Sequence, residues 1–416
     1  MYVTTGLALS SSRVLEQTQG ILYERLRMND SEITVHGKCD SRFAAVRDAF
    51  VANFRDHQEV GACIAVSLEN ELVVDLWAGW ADQNKTRPWQ QDTLVNVWSV
   101  GKAIAALTAL NAFEKYHIDV DSPVADIWPE FAAANKGEIS IAMLMSHQAG
   151  LCAISDLLPR DAFFHWEIMQ AALARQAPFW EPGTAHGYHT NTLGFLVGEP
   201  VRRLTGSRFC HWLEREITGP MGVDFYFGVD PTDLHRCAEI ASMPRPPSAA
   251  SNISMGSKKA EDPLERMRYL VYQNPPLMAL GVNSDKWRLS EFPSTSPHAN
   301  ARSVATIFGE LASSLHHQRD GLISYELLKR ASSIHSDGED LNVGRPTRFG
   351  LGFQLTQPDR PLGPNPNAFG HYGNGGHLGF ADPAVPLGFA YHLNHQGYAW
   401  RDPRNIALTE AVYACI

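Results

Sequence analysis

Short, mostly apolar runs bounded by polar or Gly-containing turns lie near both ends of the chain, a pattern that is typical of strands. Ala62–Leu68 and Leu72–Trp77 lie on either side of a short polar turn, which predicts an antiparallel hairpin, and Phe43–Phe54 before them has helical spacing. Further strands are predicted over residues 349–355, 376–381 and 387–393, and a last helix over residues 402–414.

Apolar residues at helical spacing dominate the middle of the chain instead. Helices are predicted over residues 99–116, 139–146, 161–176, 191–205 and 207–217, and again over 299–316 and 322–333. Between these two groups, residues 242–262 are rich in Ser, Pro, Ala and Met, which predicts a long loop. Because long loops inside compact domains tend to be functional, we interpret this segment as a flap.

Together these elements predict a mixed α/β (α+β) fold. The economical arrangement is one central antiparallel sheet flanked by helices, built from residues 1–98 and 299–416, with a mostly helical lobe over residues 99–298 inserted between them. Residues 1–40 are polar and weakly patterned, which predicts an N-terminal arm.

Composition and charge exclude several classes of protein. Hydrophobic residues make up 44% of the 416 positions, enough for a sizeable core, and no apolar run reaches the length of a membrane span. The net charge of −10 argues against nucleic acid as a partner. The six cysteines form no Cys-x-x-Cys, and the N-terminus lacks the pattern of a secretion signal. We therefore expect a cytoplasmic protein with free thiols.

The seventeen histidines do not predict a metal site. His186 and His189 are three positions apart, as are His392 and His395, but neither pair belongs to a His-Glu-x-x-His arrangement. No Gly-rich phosphate loop or dinucleotide fingerprint is present either. We therefore expect neither a metal nor a cofactor.

The candidate chemistry begins at Ser99, which is followed three positions later by Lys102 at the start of a strongly apolar helix. Residues three apart share a helix face, so the lysine amine can lie close to the serine hydroxyl and turn it into a nucleophile. The alternative is a helix-capping serine beside a solvated lysine. The Gly-x-Ser-x-Gly elbow of α/β-hydrolases is absent.

Two further motifs follow in order along the chain. Tyr188 stands just before an apolar helix in Tyr188-His-Thr190, a position from which a side chain can project into a cleft. His371-Tyr-Gly373 precedes a predicted strand, and glycines there allow a substrate to approach the backbone closely.

In this order, the three motifs resemble those of the serine β-lactamase and penicillin-binding-protein superfamily, and most closely those of class C β-lactamases and family VIII carboxylesterases. Four other short segments also resemble the family: Leu144–Leu151, Trp180–Thr184, Asn300–Arg302 and Leu378–Asp382. The resemblance covers residues 45–415. It implies Ser99 as the nucleophile, Lys102 and Tyr188 as the groups that share the proton transfers, and the backbone N–H groups of Ser99 and Asn374 as the oxyanion hole. Which of Lys102 and Tyr188 is the base stays open.

The second and third motifs depart from the class C pattern in ways that bear on the substrate. Thr190 stands where those enzymes typically have asparagine, with Asn191 after it, and His371 replaces the lysine of Lys-Thr-Gly. Histidine is mostly neutral at pH 7, which favours an uncharged acyl substrate, although Arg345 or Arg348 is an alternative source of positive charge. The predicted substrate-binding residues are His371, Tyr372, Gly373, Thr190 and Asn191. Candidates for an apolar pocket are Trp98, Trp166, Trp180, Trp212 and Phe353.

The expected function is therefore that of a serine carboxylesterase, which hydrolyses short- to medium-chain esters through an acyl-enzyme and has a small-molecule ester as its partner. A β-lactamase, a D-alanyl peptidase or an acyltransferase of the same fold is the second expectation. A non-catalytic scaffold is the third. The oligomeric state stays open.

Overall fold

The computed structural model describes residues 33–243, 256–399 and 401–416, of which residues 35–416 belong to one compact unit. Its strands are β1 (Val35–Cys39), β2 (Gly61–Leu68), β3 (Glu71–Gly79), β4 (Val95–Asn96), β5 (Phe225–Tyr226), β6 (Ala241–Ser242), β7 (His298–Ala299), β8 (Ser336–Asp340), β9 (Arg345–Phe349), β10 (Gln354–Leu355), β11 (Phe369–Tyr372), β12 (Leu378–Asp382), β13 (Leu387–Leu393) and β14 (His395–Gln396).

The α-helices are α1 (Ala44–Asp56), α2 (Val100–Lys115), α3 (Ile141–Met145), α4 (Trp166–Arg175), α5 (Leu193–Thr205), α6 (Phe209–Leu213), α7 (Gly219–Met221), α8 (Pro263–Gln273), α9 (Asp285–Leu289), α10 (Ala301–His316), α11 (Tyr325–Ala331) and α12 (Pro403–Tyr413). A π-helical turn, Glu214–Thr218, continues α6. Short 3-10 turns occupy residues 41–43, 124–126, 129–132, 162–164, 231–236, 277–280 and 374–376.

One antiparallel sheet joins the two ends of the chain. In the described residues it has nine strands in the order β1-β3-β2-β13-β12-β11-β10-β9-β8. The chain ends meet at its centre, where β2 pairs with β13 from Leu68 opposite Leu387 to Ala62 opposite Leu393. The predicted central antiparallel sheet is confirmed. The lobe boundaries at residues 98/99 and 298/299 stay predictions.

Helices cover this sheet and fill the interior. Helix α10 packs on β2, β12 and β13, and close approach is possible because glycines face each other: a Cβ on Gly388 would lie 2.2 Å from the nitrogen of Gly309. Helix α2 is buried all round from Val100 to Phe113, as expected of a helix at the centre of a large core. One of its buried side chains is a lysine.

The structure differs from the sequence expectation in three respects, and part of the prediction falls outside the described residues. Residues 35–39, predicted to belong to an arm, form edge strand β1 against β3. The strand predicted over 349–355 is interrupted at Gly350–Phe353, where Gly352 has a φ of +78°. Strands β8 and β11 and helix α8 were not predicted. Two predicted segments lie largely outside the described part of the chain: residues 244–255 of the flap and residues 1–32 of the arm.

Candidate active site

Ser99 lies at a sharp junction between β4 and the first turn of α2. The preceding residue, Trp98, has a left-handed φ of +52°, which is a strained conformation for a bulky side chain. Ser99 occupies the N-cap position, yet its hydroxyl makes no capping hydrogen bond. The side chain is half-buried and does not cap the helix, so the alternative of a helix-capping serine does not apply to Ser99.

Lys102 points from the first turn of α2 directly at Ser99. Its Nζ lies 3.0 Å from Ser99 Oγ and donates a hydrogen bond to the Ser294 carbonyl at 2.7 Å. The side chain is completely buried, and burial lowers the pKa of its amine well below the usual value of 10.5. A neutral amine has a lone pair, so Lys102 can accept the serine proton.

Tyr188 reaches the same hydroxyl from the loop that precedes α5. Its phenol is hydrogen-bonded to the Ser99 side chain, and Lys102 Nζ lies 5.0 Å from the centre of its ring. Burial raises the pKa of Tyr188 well above its usual value of 10. The phenol is therefore a proton donor in the resting state, while the amine beside it is the better acceptor.

A buried carboxylate, which the sequence analysis did not identify, holds the Tyr188 backbone. Asp340, at the end of β8, accepts hydrogen bonds from the Tyr188 N–H at 3.0 Å and from the N–H groups of Asn342 and Val343. The hydroxyl of Thr347 donates to its second oxygen at 2.8 Å. Asn342 Nδ2 in turn donates to the Tyr188 carbonyl at 2.6 Å. Both backbone polar groups of Tyr188 are thus tied to one tight turn.

His371 lies beside Tyr188 as a neutral ring of defined tautomer. Its Nδ1 lies 2.5 Å from the Tyr372 carbonyl, which can only accept, so the proton belongs on Nδ1. The unprotonated Nε2 lies 3.4 Å from the Tyr188 hydroxyl. Burial and the nearby Lys102 lower the pKa of His371 to about 3. The third motif therefore brings no cation to this site.

The loop after His371 approaches the start of α2. A Cβ on Gly373 would lie 2.7 Å from the Val97 carbonyl and 2.7 Å from Cβ of His377, so only glycine fits there. Asn374 follows as an exposed residue at the start of the 3-10 turn, and Gln396 donates to its carbonyl at 3.1 Å. The oxyanion-hole roles of the Ser99 and Asn374 N–H groups stay predictions.

The remaining predicted binding residues have partners inside the fold. Asn191 donates to the Val271 carbonyl at 2.7 Å and accepts from Thr295, so both ends of its amide are engaged. Thr190 accepts from Asn342 at 3.1 Å. Tyr372, one position after His371 on the strand, donates to the Pro361 carbonyl at 2.7 Å.

Most of the aromatic residues predicted to line a pocket belong to the core. Phe353 and Trp212 are almost fully buried, and Trp212 donates to Asn111, while the indole of Trp166 donates to Glu199 at 2.7 Å. Trp98 packs on Trp287, with ring centres 5.9 Å apart, and Trp180 is half-buried beside His189. Trp98 directly precedes Ser99 in the sequence, and Trp180 contacts the ring of His189, the residue after Tyr188.

The histidine pairs three positions apart do not converge on a shared site. His186 Nε2 lies 2.9 Å from the Thr347 hydroxyl, whereas the His189 ring binds the backbone of Leu151 and Gly187. His392 is fully buried, and His395 contacts the Gln58 carbonyl. All six cysteines are free.

The antiparallel sheet and the cluster of Ser99, Lys102 and Tyr188 are features of the β-lactamase family. The profile of that family matches residues 46–414, so this chain belongs to it. The esterase/β-lactamase LipL of Mycobacterium tuberculosis is 30% identical over 366 residues, which span 87% of this chain and 83% of LipL. A family VIII carboxylesterase of known structure is 37% identical, with a TM-score of 0.83 over 92% of this chain and all of that one. A penicillin-binding protein homolog from Caulobacter crescentus is 35% identical, with a TM-score of 0.81 and the same coverage.

No α-helix within the described residues combines the length and the apolar character needed to cross a membrane.

Proposed function

We propose that this chain is a serine carboxylesterase that hydrolyses short- to medium-chain esters through an acyl-enzyme on Ser99. The observation that carries the proposal is the 3.0 Å contact between the Ser99 hydroxyl and a completely buried lysine amine. A serine hydroxyl is a poor nucleophile at neutral pH and needs such an adjacent base. The relatives that are named esterases support the choice of substrate class.

The electrostatics of the site divide the proton transfers between two residues. Lys102, whose pKa is lowered, takes the Ser99 proton as Oγ attacks the ester carbonyl. Tyr188, whose pKa is raised, donates its proton to the leaving alkoxide and regains one from the Lys102 ammonium. Water then hydrolyses the acyl-enzyme, with the same groups acting in reverse. This division makes Lys102 the base of the acylation step.

The developing oxyanion needs donors that are already in place. We assign this role to the backbone N–H groups of Ser99 and Asn374, since Gly373 brings the loop against Val97 beside the nucleophile. The loop is braced from behind, because Gln396 donates to the Asn374 carbonyl and Asn405 donates to the Gly376 carbonyl. Loss of a single oxyanion donor typically costs about 10²–10³ in kcat.

Hydrolysis of p-nitrophenyl acetate, butyrate, octanoate and palmitate tests the proposal. Wild-type protein should turn over the shorter esters, and Ser99→Ala should abolish turnover. Ser333→Ala is a matched control, because Ser333 is an exposed serine whose hydroxyl contacts only the Arg330 carbonyl. An inactive wild type, or an active Ser99→Ala, would contradict the proposal.

One observation favours a second candidate, the hydrolysis of an anionic acyl substrate such as a β-lactam. Arg345, at the start of β9, is close enough to Tyr188 for the two side chains to interact electrostatically. A guanidinium at that place could pair with a substrate carboxylate in the way that His371 cannot. If this candidate is right, a chromogenic cephalosporin is hydrolysed and Arg345→Gln raises its KM while KM for p-nitrophenyl butyrate is unchanged.

We also propose a cytoplasmic location. The six free cysteines, including the fully buried Cys237, support it because thiols stay reduced in that compartment. Fractionation of cells that express the chain should place it in the cytoplasmic fraction, and recovery mainly from an exported fraction would contradict this proposal.

A further inference from the structure

Three side chains from two distant parts of the chain converge at one end of the sheet. Glu69 lies in the turn between β2 and β3, whereas His316 and His317 end helix α10. One possible ligand atom from each side chain lies within 4.8 Å of those of the other two. Among the described residues, this is the only group of three or more His, Cys, Asp or Glu side chains that lie so close together. We propose that Glu69, His316 and His317 bind a divalent transition-metal ion of the zinc class.

The donor set fits such an ion. Two imidazoles and one carboxylate are common ligands of zinc, and they leave the fourth position to water. The Nε2 of His317 already lies 2.9 Å from the Glu69 carboxylate. Ligand atoms around tetrahedral zinc are roughly 3.3–3.6 Å apart, given metal–ligand bonds of about 2.0–2.2 Å. All three side chains are exposed, so small rotations can bring them to that spacing.

A hydrogen bond to the backbone fixes the tautomer of His316. Its Nδ1 lies 2.9 Å from the Pro383 carbonyl in the turn between β12 and β13, so Nδ1 carries the proton. The lone pair is then on Nε2, the other ring nitrogen. A carbonyl that fixes the tautomer of a histidine in this way is the usual companion of a metal-binding imidazole.

The local electrostatics favour a cation as well. The site lies at the C-terminus of the sixteen-residue helix α10, where the helix dipole is negative. The nearby Arg319 is paired with Glu310 through two hydrogen bonds, at 2.8 and 2.7 Å, so its charge is already compensated. The Glu69 carboxylate adds the negative charge that a divalent ion requires.

The ion would join two segments of the fold, and both are hydrogen-bonded to a third. Glu69 belongs to the β2–β3 turn and also donates its N–H to Pro386 at 3.0 Å, while His316 contacts the β12–β13 turn through Pro383. These segments surround the end of α10 rather than Ser99, so the expected role is structural. This inference does not depend on the proposed esterase activity.

Thermal unfolding of the full chain with and without Zn²⁺ tests the site, after treatment with a chelator and its removal. We expect one equivalent of Zn²⁺ to bind and Tm to rise by roughly 2 °C for each tenfold excess over Kd. Glu69→Gln and His316→Asn should each weaken binding at least about 10-fold. His211→Asn, at an exposed histidine on α6, should bind Zn²⁺ as the wild type does.

Two readouts keep the test decisive. Co²⁺ should give a visible absorption spectrum with the wild type, and this spectrum should be lost in His316→Asn. If Glu69→Gln or His316→Asn fails to fold, His317→Asn is tested in its place. Zn²⁺ binding that persists in both Glu69→Gln and His316→Asn would place the ion elsewhere and overturn the proposal. Failure of Zn²⁺ to bind the wild type, or to raise its Tm, would also overturn it.

Discussion

The Asp340 carboxylate offers the sharpest test of how Tyr188 is positioned. It is completely buried, and it accepts from the N–H groups of Tyr188 and of two residues in its own turn, and from the hydroxyl of Thr347. The substitution Asp340→Asn keeps the shape of the side chain and removes its charge. The remaining oxygen can still accept from the three N–H groups, and the new NH₂ can donate to Thr347 if that hydroxyl rotates.

The expected loss follows from the change in hydrogen-bond type. A hydrogen bond to a charged acceptor contributes about 1.5–3 kcal/mol, whereas a neutral one contributes about 1 kcal/mol. Weakening of three such bonds, by about 0.5–2 kcal/mol each, gives a loss of roughly 1.5–6 kcal/mol in the free energy of unfolding. We also expect kcat for p-nitrophenyl butyrate to fall at least about 10-fold with little change in KM, because a misplaced Tyr188 affects the transition state.

Denaturant unfolding and steady-state kinetics of the same preparations measure both effects. Asp337→Asn is the matched control, because Asp337 lies on the same strand β8, is partly exposed and pairs with Arg348 at the surface. That control should stay near the wild type in both measurements. If Asp340→Asn matched the Asp337→Asn control in stability and in kcat, the assignment of Asp340 as the residue that positions Tyr188 would be wrong.

Three further predictions concern the base, the loop and the third motif. Burial lowers the pKa of Lys102, and only its neutral form accepts a proton, so kcat/KM should rise as pH increases through that pKa, at a pH well below 10.5. Lys102→Met should remove this rise together with nearly all activity, and pH-rate profiles of both proteins measure the effect. Gly373→Ala should lower both Tm and kcat, since its Cβ would lie 2.7 Å from Val97 O and from His377 Cβ. Gly222→Ala, at a position with open space but a left-handed φ, should lower Tm alone, and an unchanged kcat in Gly373→Ala would contradict the close approach. His371→Gln should retain most esterase activity because the ring is neutral, with a pKa of about 3, and a strong loss at every pH would show that the imidazole has a role beyond that of a neutral hydrogen-bond acceptor.

The sequence was sufficient for the contact between Ser99 and Lys102 because helical spacing is a local rule. Ser99 and Lys102 are brought together by helical spacing alone, and the 3.0 Å contact is what that spacing predicts. The hairpin of β2 and β3 also follows from a local signal, two apolar runs separated by a short polar turn. Tyr188 comes from a distant segment, and it was identified only by the resemblance of its motif to a known family.

Other features depend on tertiary contacts that local patterns do not encode. Asp340 lies in a polar strand, Ser336–Asp340, and nothing in that stretch indicates that its last residue is buried under Tyr188. Asn191 has the composition of a binding residue, but both ends of its amide are engaged by Val271 and Thr295. Edge strand β1 has polar, exposed residues on an irregular pattern around Gly37, so its pairing with β3 is visible only in the fold.

Formation of an acyl-enzyme on Ser99 can be observed by intact mass spectrometry of protein quenched during turnover of p-nitrophenyl butyrate, followed by peptide mapping. We expect a mass increase of one butyryl group on the peptide that contains Ser99, and no such increase in Ser99→Ala. A butyryl group on another residue, or turnover that persists in Ser99→Ala, would contradict this expectation.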